Sequence, residues 1–347
     1  MPGDVHNAPL LSLCIATRNR AHLLPETLAS LRPQLSDDIE LVFVDGGSTD
    51  ATKSVVRDFA AEGHSVQYHY HDDRAGLDRD YDRAVEYASG RFCWLLTDDD
   101  LIDADGIASV RNLLDSDTNL LVLNSRVASA DFHLQLQDTR MPDDVDDAGI
   151  NNTDDLFLRQ LGDTLSFIGA VVIRRQLWLS RDRESFYGCM FVHVGVILQH
   201  PPIDGVKVRV KPIMTLRYGN ASWSSRTFEI WSVLWPQLIW QFDAYSPVAK
   251  AAVIAEYPYL SALYLLKQRA RGAYGLSHYR AQVAPRTAGL SRFMAWLVAA
   301  CPGSVVNVLA VIYVGLLGGG GKLGLYDLQN SPHANRVSLW VMSRVRP

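Results

Sequence analysis

The sequence predicts an α/β fold with a mostly parallel central sheet, followed by a C-terminal helical region. In the first 110 residues, short apolar runs alternate with segments of helical spacing, and polar residues cluster where the apolar runs end. The last 91 residues are both apolar and basic. Strands that alternate with helices at this spacing are typical of parallel βαβ units. The chain of 347 residues is long enough for one large domain with an additional region, or for two domains.

Four apolar runs predict buried strands, and the segments between them predict helices. The predicted strands are 10–17, 39–44, 66–70 and 92–96. The predicted helices are 23–35, 53–61, 78–88 and 102–114. Polar groups follow three of the strands, at 17–20, 45–48 and 98–100. Because ligands of such sheets bind beyond the carboxyl ends of the strands, we expect these groups to line one crevice.

The pattern is less regular after residue 119. Segments 120–124 and 170–174 predict further strands, and 191–198 is compatible with either a helix or a strand. Three tryptophans spaced four and five residues apart, Trp231, Trp235 and Trp240, predict a helix that buries indole rings.

The C-terminal part of the chain carries an unusual charge. Residues 257–347 contain ten of the 33 basic residues but one of the 38 acidic ones, a formal charge of +9 against −14 for the first 256 residues. Within this part, 293–317 contains no charged side chain, although Pro302 and Gly303 interrupt it. Basic residues beside apolar segments suit a membrane surface. We expect 257–326 to associate with the membrane as a broken interfacial pair, a hairpin or a span; a buried core pair is the alternative.

Three adjacent aspartates, Asp98, Asp99 and Asp100, end the fourth predicted strand. Neighbouring carboxylates at a strand end suit a hard divalent cation, which takes oxygen ligands and usually also binds substrate phosphates. The alternative is an acidic cap for the helix that follows, since carboxylates favour helix N-termini. A cap accounts for one aspartate, whereas a cation site accounts for more than one.

The N-terminal motifs resemble the nucleotide-sugar domain of GT-A family 2 glycosyltransferases. The similar segments are CIATRNRAHLLPETLASL, IELVFVDGGSTDAT and DRAGLDRDYDRAVEYASGRFCWLLTDDD. Further along, the chain resembles the abequosyltransferase-like branch, which adds dideoxy sugars or related hexoses to lipid-linked O-antigen precursors. These segments are FIGAVVIRRQLW, FVHVGVILQH, YGNASW and FEIWSVLWPQLIW. The resemblance implies a GT-A fold with a catalytic domain over 1–222 (nucleotide-sugar half 10–110, acceptor half 111–222) and a helical region over 223–347.

The resemblance also implies roles for individual residues and a bound Mg²⁺ or Mn²⁺. The implied donor-binding residues are Thr17, Arg20, Asp45, Ser48, Arg74, Gly76, Asp78, Asp98 and Asp99. Asp45 would hydrogen-bond the base or ribose, and Asp98 the ribose or an ordered water. Asp100 is the expected metal ligand, with Asp98 and His193 as further candidates. Thr97 stands where many family members have the first acidic residue of the motif. The assignment of the individual roles to Asp98, Asp99 and Asp100 can therefore shift by one residue.

The catalytic base is expected near the segment 191–194. His193 is a candidate, because an imidazole can take a proton from a hydroxyl group near neutral pH. Glu184 is the rival base, and a reaction that retains configuration would need neither. Trp223 follows Asn220-Ala221-Ser222 and is a candidate for stacking on the acceptor sugar, with packing in a loop as the alternative.

The sequence therefore predicts a metal-dependent enzyme that moves one sugar, with a deoxyhexose as one option, from a nucleotide diphosphate donor to a lipid-linked saccharide in bacterial surface polysaccharide assembly. A polyprenyl-phosphate glycosyltransferase and a non-catalytic nucleotide-sugar-binding scaffold are the alternatives. No secretion signal is visible, so we expect a cytoplasmic protein, peripheral or monotopic at the inner face of the cytoplasmic membrane. Nucleic acid is not an expected partner, because the basic tail is also apolar.

Overall fold

The structure, a computed structural model, describes residues 8–147, 155–220, 224–317 and 321–344. The chain divides into two compact units. The first comprises Met1–Tyr218 and Phe242–Ala249, and the second comprises Gly219–Gln241 and Lys250–Pro347. The domain boundary predicted at residue 222 stays a prediction.

The first unit contains all the strands of the described residues. They are β1 (Leu11–Thr17), β2 (Ile39–Asp45), β3 (Val66–Tyr70), β4 (Phe92–Leu96), β5 (Leu101–Ile102), β6 (Leu120–Leu123), β7 (Arg126–Ser129), β8 (Gln135–Gln137), β9 (Val171–Arg174), β10 (Val206–Arg209) and β11 (Met214–Tyr218). Seven of them form a sheet in the order β10-β6-β9-β4-β1-β2-β3. β9 runs antiparallel to both of its neighbours, and the other pairs are parallel. The predicted α/β fold with a mostly parallel central sheet is confirmed.

A smaller sheet, in the order β5-β11-β7-β8, lies beside the acidic run. β5 begins directly after Asp100 and pairs antiparallel with β11, Ile102 opposite Met214. The helix predicted from residue 102 therefore starts only at Gly106. The ladder to β11, which comes from more than 100 residues away, takes precedence over the local helical spacing.

The helices of the first unit cover the central sheet. They are α1 (Leu24–Leu31), α2 (Thr52–Ala60), α3 (Leu77–Tyr87), α4 (Gly106–Arg111), α5 (Asp155–Leu165), α6 (Arg175–Ser180) and α7 (Val192–Leu198). On α1, Leu24, Leu28 and Leu31 follow helical spacing and pack in one core with β1 and β2. Both faces of β1 and β2 are buried, as expected for parallel strands covered by helices.

The helices α8 (Thr227–Glu229), α9 (Trp235–Trp240), α11 (Ala262–Ala270), α12 (Leu276–His278), α13 (Gly289–Ala300), α14 (Gly303–Leu317), α15 (Gly321–Gln329) and α16 (Arg336–Met342) belong to the second unit, and α10 (Pro247–Val253) runs from the first into the second. The predicted tryptophan helix is confirmed as a π-helical turn, Ile230–Leu234, that continues into α9. Among the described residues, no single helix has the length and apolar composition to cross a membrane, but α13 and the first part of α14, bent by 95°, pass that test as a pair.

Candidate active site

The carboxyl ends of four parallel strands meet at one edge of the central sheet. Thr17 at the end of β1 lies opposite Asp45 at the end of β2, and Asp45 lies opposite Tyr70 at the end of β3. On the other side of β1, the end of β4 delivers the acidic run. The predicted convergence of the three polar groups at a single edge is therefore present in the structure.

The loops after β1 and β2 are tied together by side-chain hydrogen bonds. The hydroxyl of Ser48 accepts from the backbone N–H of Asn19 at 2.7 Å, and the amide oxygen of Asn19 accepts from the N–H of Thr49 at 2.8 Å. Arg20 donates its backbone N–H to the hydroxyl of Thr52 at 3.0 Å. Asn19 has a φ of 54°, in the left-handed region that asparagine tolerates. Asn19 was not among the predicted site residues, although it contacts one of them, Ser48.

The carboxylate of Asp45 is held inside the protein by two hydrogen bonds. Its side chain is 0% exposed. One carboxylate oxygen accepts from the backbone N–H of Ser48 at 2.7 Å, and the other accepts from the hydroxyl of Tyr68 at 2.5 Å. Burial and the charge of Asp45 raise the pKa of Tyr68. Asp45 therefore holds the loop 46–48 in place from inside, and its predicted contact with base or ribose stays a prediction.

The acidic run is buried and only partly compensated by positive charge. Asp98 and Asp99 face the guanidinium of Arg20 at 3.6 and 3.8 Å. Asp100 accepts hydrogen bonds from the hydroxyl of Thr97 and from the backbone N–H of Arg217, the latter at 2.7 Å. Burial, with the charge of Asp99 added, raises the pKa of Asp98 to about 7 and that of Asp100 well above its ordinary value.

This environment fits a hard divalent cation. Oxygen ligands and uncompensated buried negative charge are what Mg²⁺ and Mn²⁺ require. Among the described residues, however, no three His, Cys, Asp or Glu side chains are grouped so that they could hold a metal ion. The described residues therefore do not bring Asp98, Asp100 and His193 together as one ligand set, while Asp98 and Asp100 as ligands stay a prediction. Oxygens of a ligand would have to complete the coordination begun by the carboxylates.

The loop before α3 passes over the loop after β2. The backbone N–H of His71 donates to the carbonyl oxygen of Asp45 at 2.9 Å. Gly47 has a φ of +87°, and a Cβ built there would lie 3.3 Å from the carbonyl oxygen of His71 and 3.7 Å from Cγ of Arg74. The structure thus brings Arg74 to the edge where Ser48 lies, as predicted. Gly76, with a φ of +97°, turns the chain into α3.

Asp78, predicted to bind the donor, organises the segment before α7 in the structure. Its carboxylate is buried and accepts from the backbone N–H groups of Gly188, Met190 and Val192 at 2.8–2.9 Å. These are contacts between α3 and the start of α7, made over more than 100 residues of sequence. These hydrogen bonds give Asp78 a structural role, and its predicted contact with the donor stays a prediction.

The two candidate bases lie in different environments. His193 on α7 is 1% exposed, and its Nε2 lies 2.8 Å from the carbonyl oxygen of Leu165. Its Nδ1 has no hydrogen-bond partner among the described residues, and burial lowers its pKa to about 4. Glu184 is exposed and begins a short 3₁₀ turn. Neither assignment is tested by these positions, so both stay predictions. Trp223 lies outside the described residues.

Two charged residues at this edge were missed from the sequence. Arg217 on β11 contacts the acidic run, and Asp80 on α3 is buried against Gly46, where a Cβ would lie 2.5 Å from a carboxylate oxygen. Burial raises the pKa of Asp80 to about 6. Asp80 lies within a segment that carries the family resemblance and Arg217 directly precedes another, but local sequence does not indicate which way their side chains face.

Comparisons with known proteins agree with this arrangement. Residues 12–178 match the family model Glycosyl transferase family 2. Abequosyltransferase RfbV of Salmonella typhimurium is 26% identical over 62% of this chain and 69% of its own length. A PGL/p-HBAD biosynthesis glycosyltransferase of Mycobacterium bovis is 41% identical over 30% of this chain, but the match spans only 41% of that protein. In fold, the chain is similar to S. aureus TarS 1-349, with a TM-score of 0.50 at 14% identity over 92% of this chain and 90% of that one. The predicted GT-A-like fold is thereby confirmed.

Proposed function

Because the chain carries a glycosyl transferase family 2 domain and is a transferase enzyme, we propose that it moves a single sugar from a nucleotide diphosphate donor to a lipid-linked saccharide. The observation that carries this proposal is the convergence of the donor-side loops and the buried acidic run at one edge of the sheet. A role in bacterial surface polysaccharide assembly, with a deoxyhexose as the sugar to test first, is supported by the similarity to an abequosyltransferase.

On the donor side, the proposal assigns the nucleotide diphosphate to the strand-end edge. Arg20 and Arg74 supply positive charge there, and the loop fixed by Asn19 and Ser48 supplies a rigid backbone surface. Carboxylate oxygens of the run Asp98–Asp100, completed by oxygens of the donor, would hold Mg²⁺ or Mn²⁺, which when bound neutralises negative charge on the leaving diphosphate. The chain's own contribution is to keep these carboxylates buried and oriented, so that charge stabilisation needs little reorganisation.

On the acceptor side, we propose His193 as the general base. A carbonyl oxygen can only accept a hydrogen bond, so the contact with Leu165 places the proton on Nε2 and leaves the lone pair on Nδ1. A neutral imidazole of this tautomer can take the proton of an acceptor hydroxyl at Nδ1. Because Nδ1 is buried, the proposal requires the residues around it to change conformation when the acceptor binds.

His193→Gln is expected to lower sugar transfer by on the order of 100-fold or more, because positioned general bases contribute about 10²–10⁴ to rates. Donor nucleotide binding should stay within about twofold of the wild type, since α7 is not among the donor-side elements. Transfer rates and nucleotide titrations measure the two effects, and Glu184→Gln tests the rival base in the same assays. A folded His193→Gln chain that transfers at the wild-type rate would remove His193 from the mechanism.

The function itself is tested with a panel of donors. The purified chain, with Mn²⁺, is incubated with CDP-, UDP-, GDP- and dTDP-linked sugars and either a polyprenyl phosphate or a polyprenyl diphosphate saccharide. We expect one nucleotide class to be released in step with a glycosylated lipid-linked saccharide, detected by mass spectrometry. Product only on the lipid phosphate would favour the polyprenyl-phosphate alternative. If a folded chain neither transfers nor hydrolyses any donor, the proposal is wrong.

The second unit supports a proposed location at the membrane surface. α13 buries Ala295, Val298 and Ala299, yet five large apolar side chains on its other faces are 37–76% exposed. These are Leu290, Phe293, Met294, Trp296 and Leu297. A helix at a water-facing surface normally carries polar residues there. With the excess of basic residues after residue 256, this face suits an anionic lipid surface, which would also be where a lipid-linked acceptor is found.

A further inference from the structure

We infer that Arg217 is a positioning residue that sets the orientation of the acidic run Asp98–Asp100, an inference that rests on the proposed function of this run. Arg217 lies on β11, more than 100 residues along the chain from the aspartates. Its backbone N–H donates to a carboxylate oxygen of Asp100 at 2.7 Å, and its side-chain Nε donates to the carbonyl oxygen of Asp99 at 2.8 Å. Arg217 therefore forms hydrogen bonds to both a backbone carbonyl oxygen and a carboxylate oxygen of the run.

The same guanidinium ties the run to its surroundings. Nη1 donates to the carbonyl oxygen of Ala130 at 2.8 Å, and Nη2 forms an ion pair with Glu26 on α1. The ring of Phe132 lies 4.2 Å from the guanidinium carbon. The side chain of Arg217 is 5% exposed, whereas that of Glu26 is 59% exposed, so the positive charge is buried beside the aspartates.

The direction of these contacts determines what Arg217 does. In the acidic run, its side chain donates to a backbone carbonyl oxygen and not to a carboxylate. The buried cation can therefore offset the negative charge of the run while leaving the carboxylate oxygens of Asp99 to other partners. The antiparallel pairing of β5 with β11, with Leu101 opposite Thr215, also fixes the backbone immediately after Asp100. Groups that orient ligating carboxylates in this way commonly change metal affinity when they are removed.

Arg217→Ala is expected to weaken Mn²⁺ binding by about tenfold to a hundredfold, the range typical of residues that orient metal ligands. The probe is Mn²⁺ alone, with free Mn²⁺ followed by electron paramagnetic resonance. Arg217→Lys keeps a positive charge and a donor, so it should recover part of the affinity. The backbone N–H contact to Asp100 is present in every variant, and the series therefore isolates the side chain.

Arg174→Ala is the matched control. Arg174 on β9 also donates to backbone carbonyl oxygens, those of Ser116 and Thr118, and stacks over an aromatic ring, that of Phe92. It pairs with the first residue of β4, whereas the acidic run follows the last. We expect Arg174→Ala to lose stability like Arg217→Ala but to keep the wild-type Mn²⁺ affinity.

Amide hydrogen exchange gives a readout that does not depend on metal. In Arg217→Ala, the peptide that contains 97–101 should exchange faster, with β3 unchanged; in Arg174→Ala, the change should fall at 115–119. Unchanged exchange at 97–101 in a folded Arg217→Ala chain, or an equal loss of Mn²⁺ affinity in both variants, overturns the inference. If the wild type binds no Mn²⁺, the metal part of the proposed function fails, while the exchange experiment still decides the role of Arg217.

Discussion

Asp100→Asn is expected to transfer sugar on the order of 100- to 1,000-fold more slowly than the wild type, with the fold intact. The amide has nearly the shape of the carboxylate, so the contacts with Thr97 and Arg217 have a partner of similar geometry. What is lost is a negative charge at the place where, on the proposed function, a divalent cation neutralises the departing diphosphate. Losing one preorganised electrostatic contact to the developing charge typically costs this much. Steady-state transfer assays at saturating Mn²⁺ measure the loss.

Asp98→Asn tests the same site through the pH dependence of the free energy of unfolding. The folded-state pKa of Asp98 is raised to about 7 from an ordinary value of 3.8, so the native chain favours the protonated carboxyl. The stabilisation from this carboxyl is therefore fully present below about pH 4 and is lost as the pH rises towards 7 and above. Without metal, Asp98→Asn should be more stable than the wild type at pH 8, by about 1–3 kcal/mol. Urea denaturation at pH 5 and pH 8 shows whether this difference exists.

The control for both substitutions is Asp103→Asn. Asp103 lies three residues beyond the run and pairs with Arg126, a partner outside the proposed site. Removing its charge should change transfer by no more than about twofold, as expected for a partly exposed ion pair. If Asp100→Asn transfers sugar as fast as Asp103→Asn, the acidic run does not take part in the reaction.

Strand positions could be predicted from the sequence because they depend on local composition. β3 and β4 match their predicted bounds, since short apolar runs between turn signals have few alternatives. The rule that ligands bind beyond the carboxyl ends of parallel strands likewise predicted that the three polar loops lie at one edge. These features depend on residues that are contiguous in the sequence, so they can be recognised before any tertiary contact is known.

The direction in which each carboxylate faces could not be predicted. Asp45 turns inward because Tyr68, on the neighbouring strand, donates to it. Asp78 turns towards backbone N–H groups that lie more than 100 residues further on. In both cases a donor that is distant in sequence sets the orientation of the carboxylate, because a buried carboxylate requires hydrogen-bond donors. Arg217 was missed for the same reason, because its relation to Asp100 depends on the pairing of β5 with β11.

Replacing Leu290, Phe293 and Trp296 together by serine is expected to lower partitioning into anionic vesicles by about 100-fold. These side chains lie on α13 and are 44–76% exposed in the structure. Partial burial of each in the lipid interface is worth about 1 kcal/mol, and the sum of about 3 kcal/mol corresponds to two orders of magnitude. Sedimentation with phosphatidylglycerol vesicles measures the partition coefficient, and a melting curve verifies that the variant is folded.

Two comparisons distinguish insertion into lipid from nonspecific adsorption to the vesicles. Leu134 and Leu156, in the first unit, are 56% and 50% exposed, and replacing both by serine should leave the partition coefficient unchanged. Because residues 257–347 carry a formal charge of +9, wild-type binding should weaken in 0.5 M salt and on neutral phosphatidylcholine vesicles. If the wild type does not bind anionic vesicles, or if the triple variant binds them as tightly as the wild type, the exposed face of α13 contacts something other than lipid.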